Sequence, residues 1–216
     1  MGDLGGEGWL ISSVETLQGR GERVLVHFQD RRPLRLTLQV AQEAGLAPGQ
    51  RLTETDIQRL LDANTRRRAF DSALYYLGYR PRSEAELKRR LARQYDETIV
   101  GETVAKLREY GYLDDQAFAQ FWAESRTSFS PRSSRMIRWE LRRKGVDDET
   151  AAEAVAGIDD EEEAYRAAQK KARTLRMADY DTFNQRLGGF LQRKGFGFGV
   201  AKRVVNRLWA ERKQAE

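Results

Sequence analysis

No cysteine occurs in the 216 residues, which excludes disulfides, thiolate metal sites and cysteine nucleophiles. Histidine is nearly as scarce. The single one, His27, lies in a β-branched and aromatic run with no second histidine nearby, so neither a histidine-based triad nor a metal centre has a foundation. Proline occurs only four times, and from residue 55 onward only Pro81 and Pro131 break the chain, so long helices are permitted there. No apolar run approaches the roughly 20 residues needed to span a bilayer. The opening Met1-Gly2-Asp3-Leu4-Gly5-Gly6 lacks a basic region followed by an apolar core, so no secretory signal is expected and the cytoplasm is the expected compartment. Also missing is a glycine-rich loop ending in Gly-Lys-Ser/Thr, which argues against nucleotide hydrolysis.

Charge is what the chain has in plenty. Charged residues make up 33% and hydrophobic residues 40%, a balance that suits a folded chain with much exposed helix surface. Residues 1–57 carry 6 Lys+Arg against 8 Asp+Glu, whereas residues 58–216 carry 32 against 25. The basic excess therefore sits in the second part. It is compatible with a polyanionic partner, and equally with a solvated surface.

The first 40 residues read as three short antiparallel strands: Trp9-Leu10-Ile11 with Val14 to Leu17, then Val24 to Phe28, then the alternating Leu34, Leu36 and Leu38. Gly19-Arg20-Gly21-Glu22 is a turn signal, and Leu46-Ala47-Pro48-Gly49 reads as a loop after a short helical piece. So small a sheet must pack on neighbouring helices. Beyond residue 55 the texture is helical. Thr55 with Gln58, and Ser83 with Glu86, have capping-box spacing and predict two helix starts.

An internal repeat dominates the helical part. An offset of 50 superposes Pro81-Arg82-Ser83 on Pro131-Arg132-Ser133. The same offset aligns Leu87, Ile137 and Leu187, then Leu91, Leu141 and Leu191, then Val104, Ala154 and Val204. Lys144-Gly145-Val146 matches Lys194-Gly195-Phe196, while the first copy has Gln94-Tyr95-Asp96. The predicted fold is mainly α: three tandem three-helix, helix-turn-helix-like repeats after a small antiparallel β segment. The expected boundaries are 1–57 for the β-rich segment, then 58–111, 112–157 and 158–216 for the repeats.

Candidate sites are few. Gly195-Phe196-Gly197-Phe198-Gly199 follows a helix, so it is expected to be an interhelical turn with its phenylalanines in the core. The acidic runs Asp159-Asp160-Glu161-Glu162-Glu163 and Asp114-Asp115 are explained by helix N-termini, and no catalytic pair, metal or cofactor is assigned. Phe70, Tyr75, Tyr76, Tyr79, Phe118, Phe121 and Trp122 recur at helical spacing and are expected mostly in packing. Basic faces carry more. Around residues 134–144, Ile137 and Leu141 face inward, which groups Arg135, Arg138 and Arg142 outward beside Trp139 and Arg143. In the last helix Lys202, Arg203, Asn206 and Arg207 oppose Val204, Val205 and Leu208. Unbalanced arginine stripes repel themselves unless a partner compensates, and guanidiniums beside an indole suit phosphate and base contact.

The combination of motifs resembles the RecX regulators. It runs from Ala73-Leu74 and Leu77 through Arg80-Pro81-Arg82-Ser83-Glu84, Glu86-Leu87 and Arg90-Leu91. It continues in Leu107, Gly111-Tyr112-Leu113-Asp114-Asp115, Phe118-Ala119 and Arg126, and ends strongly at Ile137, Glu140-Leu141 and Lys144-Gly145-Val146. The third repeat fits less closely. Two departures fall at turns: Gln94-Tyr95 in place of a glycine, and Ser128-Phe129-Ser130 where a glycine is common. The resemblance implies a non-enzymatic, monomeric protein of homologous recombination, DNA repair and the SOS response. Such a protein binds the RecA filament, suppresses its ATP hydrolysis and strand exchange, and holds single- or double-stranded DNA with modest affinity. No small-molecule substrate or membrane is implied. The rival reading is a sequence-specific helix-turn-helix DNA reader, for which Asn206 beside Arg203 and Arg207 is the base-reading candidate. A nuclease would need a carboxylate or histidine cluster that the sequence does not supply.

Overall fold

A computed structural model describes residues 8–17, 22–175 and 179–215. Four strands and not three form the N-terminal sheet: β1 (Trp9–Leu17), β2 (Arg23–Phe28), β3 (Leu34–Thr37) and β4 (Arg51–Leu52), in the order β3-β2-β1-β4. Every pairing is antiparallel. Two-residue β4 has no alternation to betray it; it exists because Trp9 and Leu10 present an edge for Leu52 and Arg51 to pair with. The expected third strand ends one residue early, since Thr37 accepts from Val40 N and caps α1 (Leu38–Glu43). The turn expected at residues 18–21 lies outside the described residues.

Period-2 alternation sends Val24, Val26 and Phe28 of β2 to one face, where they bury with Ile11, Leu36 and Val40. The lid over this face is α2 (Glu54–Leu77), through Ile57 and Leu60. Position 57/58, expected as a boundary, thus falls inside one continuous helix. The capping box is also shifted from the predicted Thr55/Gln58: Thr53 N and Oγ1 donate to Asp56, and Asp56 N donates back to Thr53 Oγ1. A carboxylate is the stronger acceptor, and Gln58 bonds Asp62 one turn on.

The helical part follows in threes. The first repeat uses the end of α2 with α3 (Glu84–Leu91) and α4 (Glu97–Glu109). The second has α5 (Asp115–Phe129), α6 (Ser134–Arg143) and α7 (Asp148–Glu153). The third has α8 (Asp160–Arg173), α9 (Tyr180–Arg193) and α10 (Phe198–Ala215). Each first helix buries two alanines one turn apart: Ala69 and Ala73, Ala119 and Ala123, Ala164 and Ala168. In the second and third repeats these small residues let the other helices approach closely, and Ile137 with Leu141, and Leu187 with Leu191, share the cores they line; Leu87 and Leu91 are likewise buried. Asp96, Asp114, Asp147, Asp159 and Asp179 cap α4, α5, α7, α8 and α9.

Two packing expectations are corrected. Tyr75, Tyr79 and Phe121 are exposed, and among the seven aromatics singled out only Phe118 is fully buried. Of the two turn phenylalanines, Phe196 is buried in the core of the third repeat, whereas Phe198 opens α10 at 71% exposure. The chain forms two compact units: one holds the sheet through Tyr79 with Arg90–Tyr110, the other Arg80–Arg89 with the chain from Gly111 onward. No helix among the described residues is long and apolar enough to cross a membrane.

Candidate interaction surfaces on the repeats

Within the second unit, the repeated motifs meet. Ser83, at the start of α3, donates from Oγ to Lys144 O at 2.6 Å, and Lys144 Nζ donates to Glu86 Oε1 at 2.9 Å. Glu84 N donates to Asp115 Oδ1 at 2.8 Å, so Asp115 caps α3 in addition to sitting in its own first turn. Fifty residues on, the plan recurs: Ser133 N donates to Lys194 O at 3.2 Å, Ser134 N to Asp160 Oδ1 at 2.6 Å, and Arg135 Nη2 to Gly195 O at 3.2 Å. Pro-Arg-Ser of one repeat therefore seats the Lys-Gly turn of the next. The turn glycines have φ of +90° and +93° and face this seat directly: a Cβ on Gly145 would collide with Ala85 Cβ, and one on Gly195 would lie 2.5 Å from Ser133 Oγ. The first copy, Gln94-Tyr95-Asp96, has no earlier helical repeat to supply a Pro-Arg-Ser seat and carries no glycine; Tyr95 instead bonds Ser72 through its hydroxyl at 3.2 Å.

The signature residues are mostly parts of this joinery. Arg80 donates to Glu86 at 3.1 Å, Ser83 and Leu87 are fully buried, and Glu84 pairs with Lys88. Gly111 takes φ +72°, Asp114 caps α5, and Leu113 and Phe118 are buried, with Phe118 in the core of the second repeat. Arg82 is half-buried beside Ser83.

The predicted arginine stripe is not left to repel itself. Arg138 donates to both oxygens of Asp148, Arg142 lies 3.4 Å from the same carboxylate, and Arg135 is spent on Gly195. The α7 N-terminus brings Asp148 under the stripe, which helical periodicity within α6 could not reveal. Trp139 is 52% exposed, with the Arg143 guanidinium 4.8 Å above its ring. On α10, Arg203 pairs with Glu161, Arg207 pairs with Glu211 and stacks 3.8 Å over Tyr165, and Asn206 accepts from Tyr180 Oη. Lys202 is exposed.

Glu140 has a role that sequence reading did not assign. It is buried on the inner side of α6 and accepts from Trp122 Nε1 at 2.8 Å, from Arg126 Nε at 2.7 Å and from Arg132. Three donors satisfy a buried carboxylate that would otherwise be costly. Glu86 shows the same logic in its titration: burial raises it, but hydrogen bonds from Arg80 and Lys144 and their charges bring it down to about 2. The detectable signal for both was a glutamate on an inward-facing helical position.

Models of the three successive RecX three-helix domains match residues 69–107, 114–155 and 159–205. The regulatory protein RecX of Clostridioides difficile (strain 630) is 25% identical over 202 residues, covering 92% of this chain and 95% of that protein. That of Mycobacterium sp. (strain JLS) is 35% identical over 152 residues, covering 67% and 83%. A crystal structure of regulatory protein RecX superposes with a TM-score of 0.68 at 24% identity over 92% of this chain and 99% of that one.

Proposed function

Because the chain belongs to the RecX family of regulatory proteins, we propose that it binds the RecA–DNA filament in the cytoplasm and restrains ATP hydrolysis and strand exchange, without catalysis of its own. The observation that carries the reading is the serial build: two helical junctions of one plan, in which Ser83 and Ser133 each bond the backbone oxygen of a lysine, Lys144 and Lys194, and an aspartate caps the helix that follows the serine. A filament is a serial partner, and repeated rigid elements suit contact with several of its subunits. In this reading Trp139, Arg142, Arg143 and Lys202 supply exposed charge and an aromatic face, while Arg135, Arg138, Arg203 and Arg207 contribute through groups not held by their internal partners. Titration into RecA on single-stranded DNA, followed by ATP hydrolysis and strand exchange, tests it; rates unchanged at saturation reject it.

The rival, sequence-specific duplex reading, is less well supported. Its candidate readers on α10 are engaged: Asn206 by Tyr180, Arg203 by Glu161 and Arg207 by Glu211. A defined consensus selected from random duplexes in the absence of RecA would favour it instead.

A further inference from the structure

The two junctions share a plan but not a charge balance. At the first, Lys144 meets the carboxylate of Glu86, which also takes Arg80. Fifty residues on, Glu86 is replaced by Met136 and Arg80 by Ser130. Lys194, in the place of Lys144, donates to Ser130 Oγ at 3.3 Å and lies 5.6 Å over the Phe190 ring. Among the described residues no carboxylate is within ion-pair distance of it. The charges that act on it are cationic. Burial, and then repulsion from Arg132 and Arg126, holds its ammonium below the usual lysine range. Both arginines share the single carboxylate of Glu140, and Lys194 has none among the described residues.

A solvated lysine would turn away from such neighbours; Lys194 is held half-buried against them by the turn that seats on Ser133. Immediately before Ser130, Phe129 ends α5 at 88% exposure. We propose that Lys194, Arg126, Arg132 and Ser130 form a subsite for one backbone phosphate of single-stranded nucleic acid, with Phe129 as the stacking face for an adjoining base. An ammonium, guanidinium N–H groups and a hydroxyl offer donors in several directions, as a phosphate with its several oxygens accepts them. The exposed ring is what separates nucleic acid from a protein carboxylate, which has no use for a π face. A single strand is specified because duplex bases are stacked on one another and present no free face. The subsite rests on the reading of the chain as one that works on DNA-bound filaments.

Met136→Glu supplies at this junction the carboxylate that Glu86 supplies at the other, and Lys194→Gln removes the cation. With the full chain and a fluorescent oligothymidylate, both variants should bind more weakly at low salt, by about 3-fold or more. Both should also flatten the slope of log affinity against log salt by about 0.7, the value for one phosphate on a single strand. Phe129→Ala should lower affinity by about 5-fold or more and leave the slope unchanged. Wild-type affinity and slope in Met136→Glu and Lys194→Gln overturn the subsite, as does failure of the wild type to bind the oligonucleotide. If the variants lose the RecA filament but not the oligonucleotide, the anion is a protein carboxylate and the phosphate assignment fails. RecA ATPase inhibition by the wild type, measured in parallel, judges the broader reading independently.

Discussion

Gly145 and Gly195 are small residues with large consequences. Each needs positive φ and each faces a wall of side chain, so alanine adds both backbone strain and a collision. We expect Gly145→Ala and Gly195→Ala to cost about 2–6 kcal/mol in urea unfolding, the range spanned by strain and overpacking together. Gly111→Ala is the control: φ is +72° but nothing lies within 4 Å of the added carbon, so it should cost only about 1–2 kcal/mol. Equal losses at all three would mean that the junction contributes nothing. Glu86 makes a prediction of the other kind. Its folded pKa, about 2, lies below the ordinary 4.5, so its contribution is present above pH 4.5 and is lost as pH falls toward 2. The stability difference between wild type and Glu86→Gln should therefore be flat from pH 5 to 8 and shrink below pH 4.5.

For whole helices, α6 separates two kinds of charge. Its inner face holds Glu140 against Trp122, Arg126 and Arg132, which all donate to its carboxylate. Glu140→Ala should cost about 2–4 kcal/mol, less than the 3–5 of a wholly buried pair because both guanidiniums reach solvent. The outer face should behave oppositely. Arg138→Ala with Arg142→Ala removes two exposed ion pairs to Asp148, and unfolding should shift by less than about 1 kcal/mol. If these arginines meet phosphates, the salt slope for single-stranded DNA should flatten by about 1.4. An unchanged slope in a folded variant returns them to a solvated surface.

As one chain, the protein carries three helical repeats, and under the proposed function each can meet the filament. Simultaneous contact raises the effective concentration of each further contact, so affinity accumulates without any strong patch. Inhibition of RecA ATP hydrolysis is therefore expected at well below one molecule per RecA protomer. A requirement for one or more per protomer would contradict multi-site engagement.

The repeat, the helix class and the family were legible in the sequence because each depends on local pattern. Leu87, Ile137 and Leu187 recur on one helix face wherever the chain is cut, and aspartates before helices announce their caps without neighbours. Pro-Arg-Ser and Lys-Gly were each visible as a recurring motif. What they do to each other was not, since 61 residues separate Ser83 from Lys144 and no periodicity spans that gap. Pairing of charges likewise needed the folded chain: Arg138 looks free along α6 and is tied by Asp148 from the next helix. The strand at Arg51–Leu52 exists only because β1 offers it an edge. Hydrophobic periodicity is a property of one element, whereas a counter-ion, a strand partner or a seat for a turn comes from another, and only folding brings the two within reach.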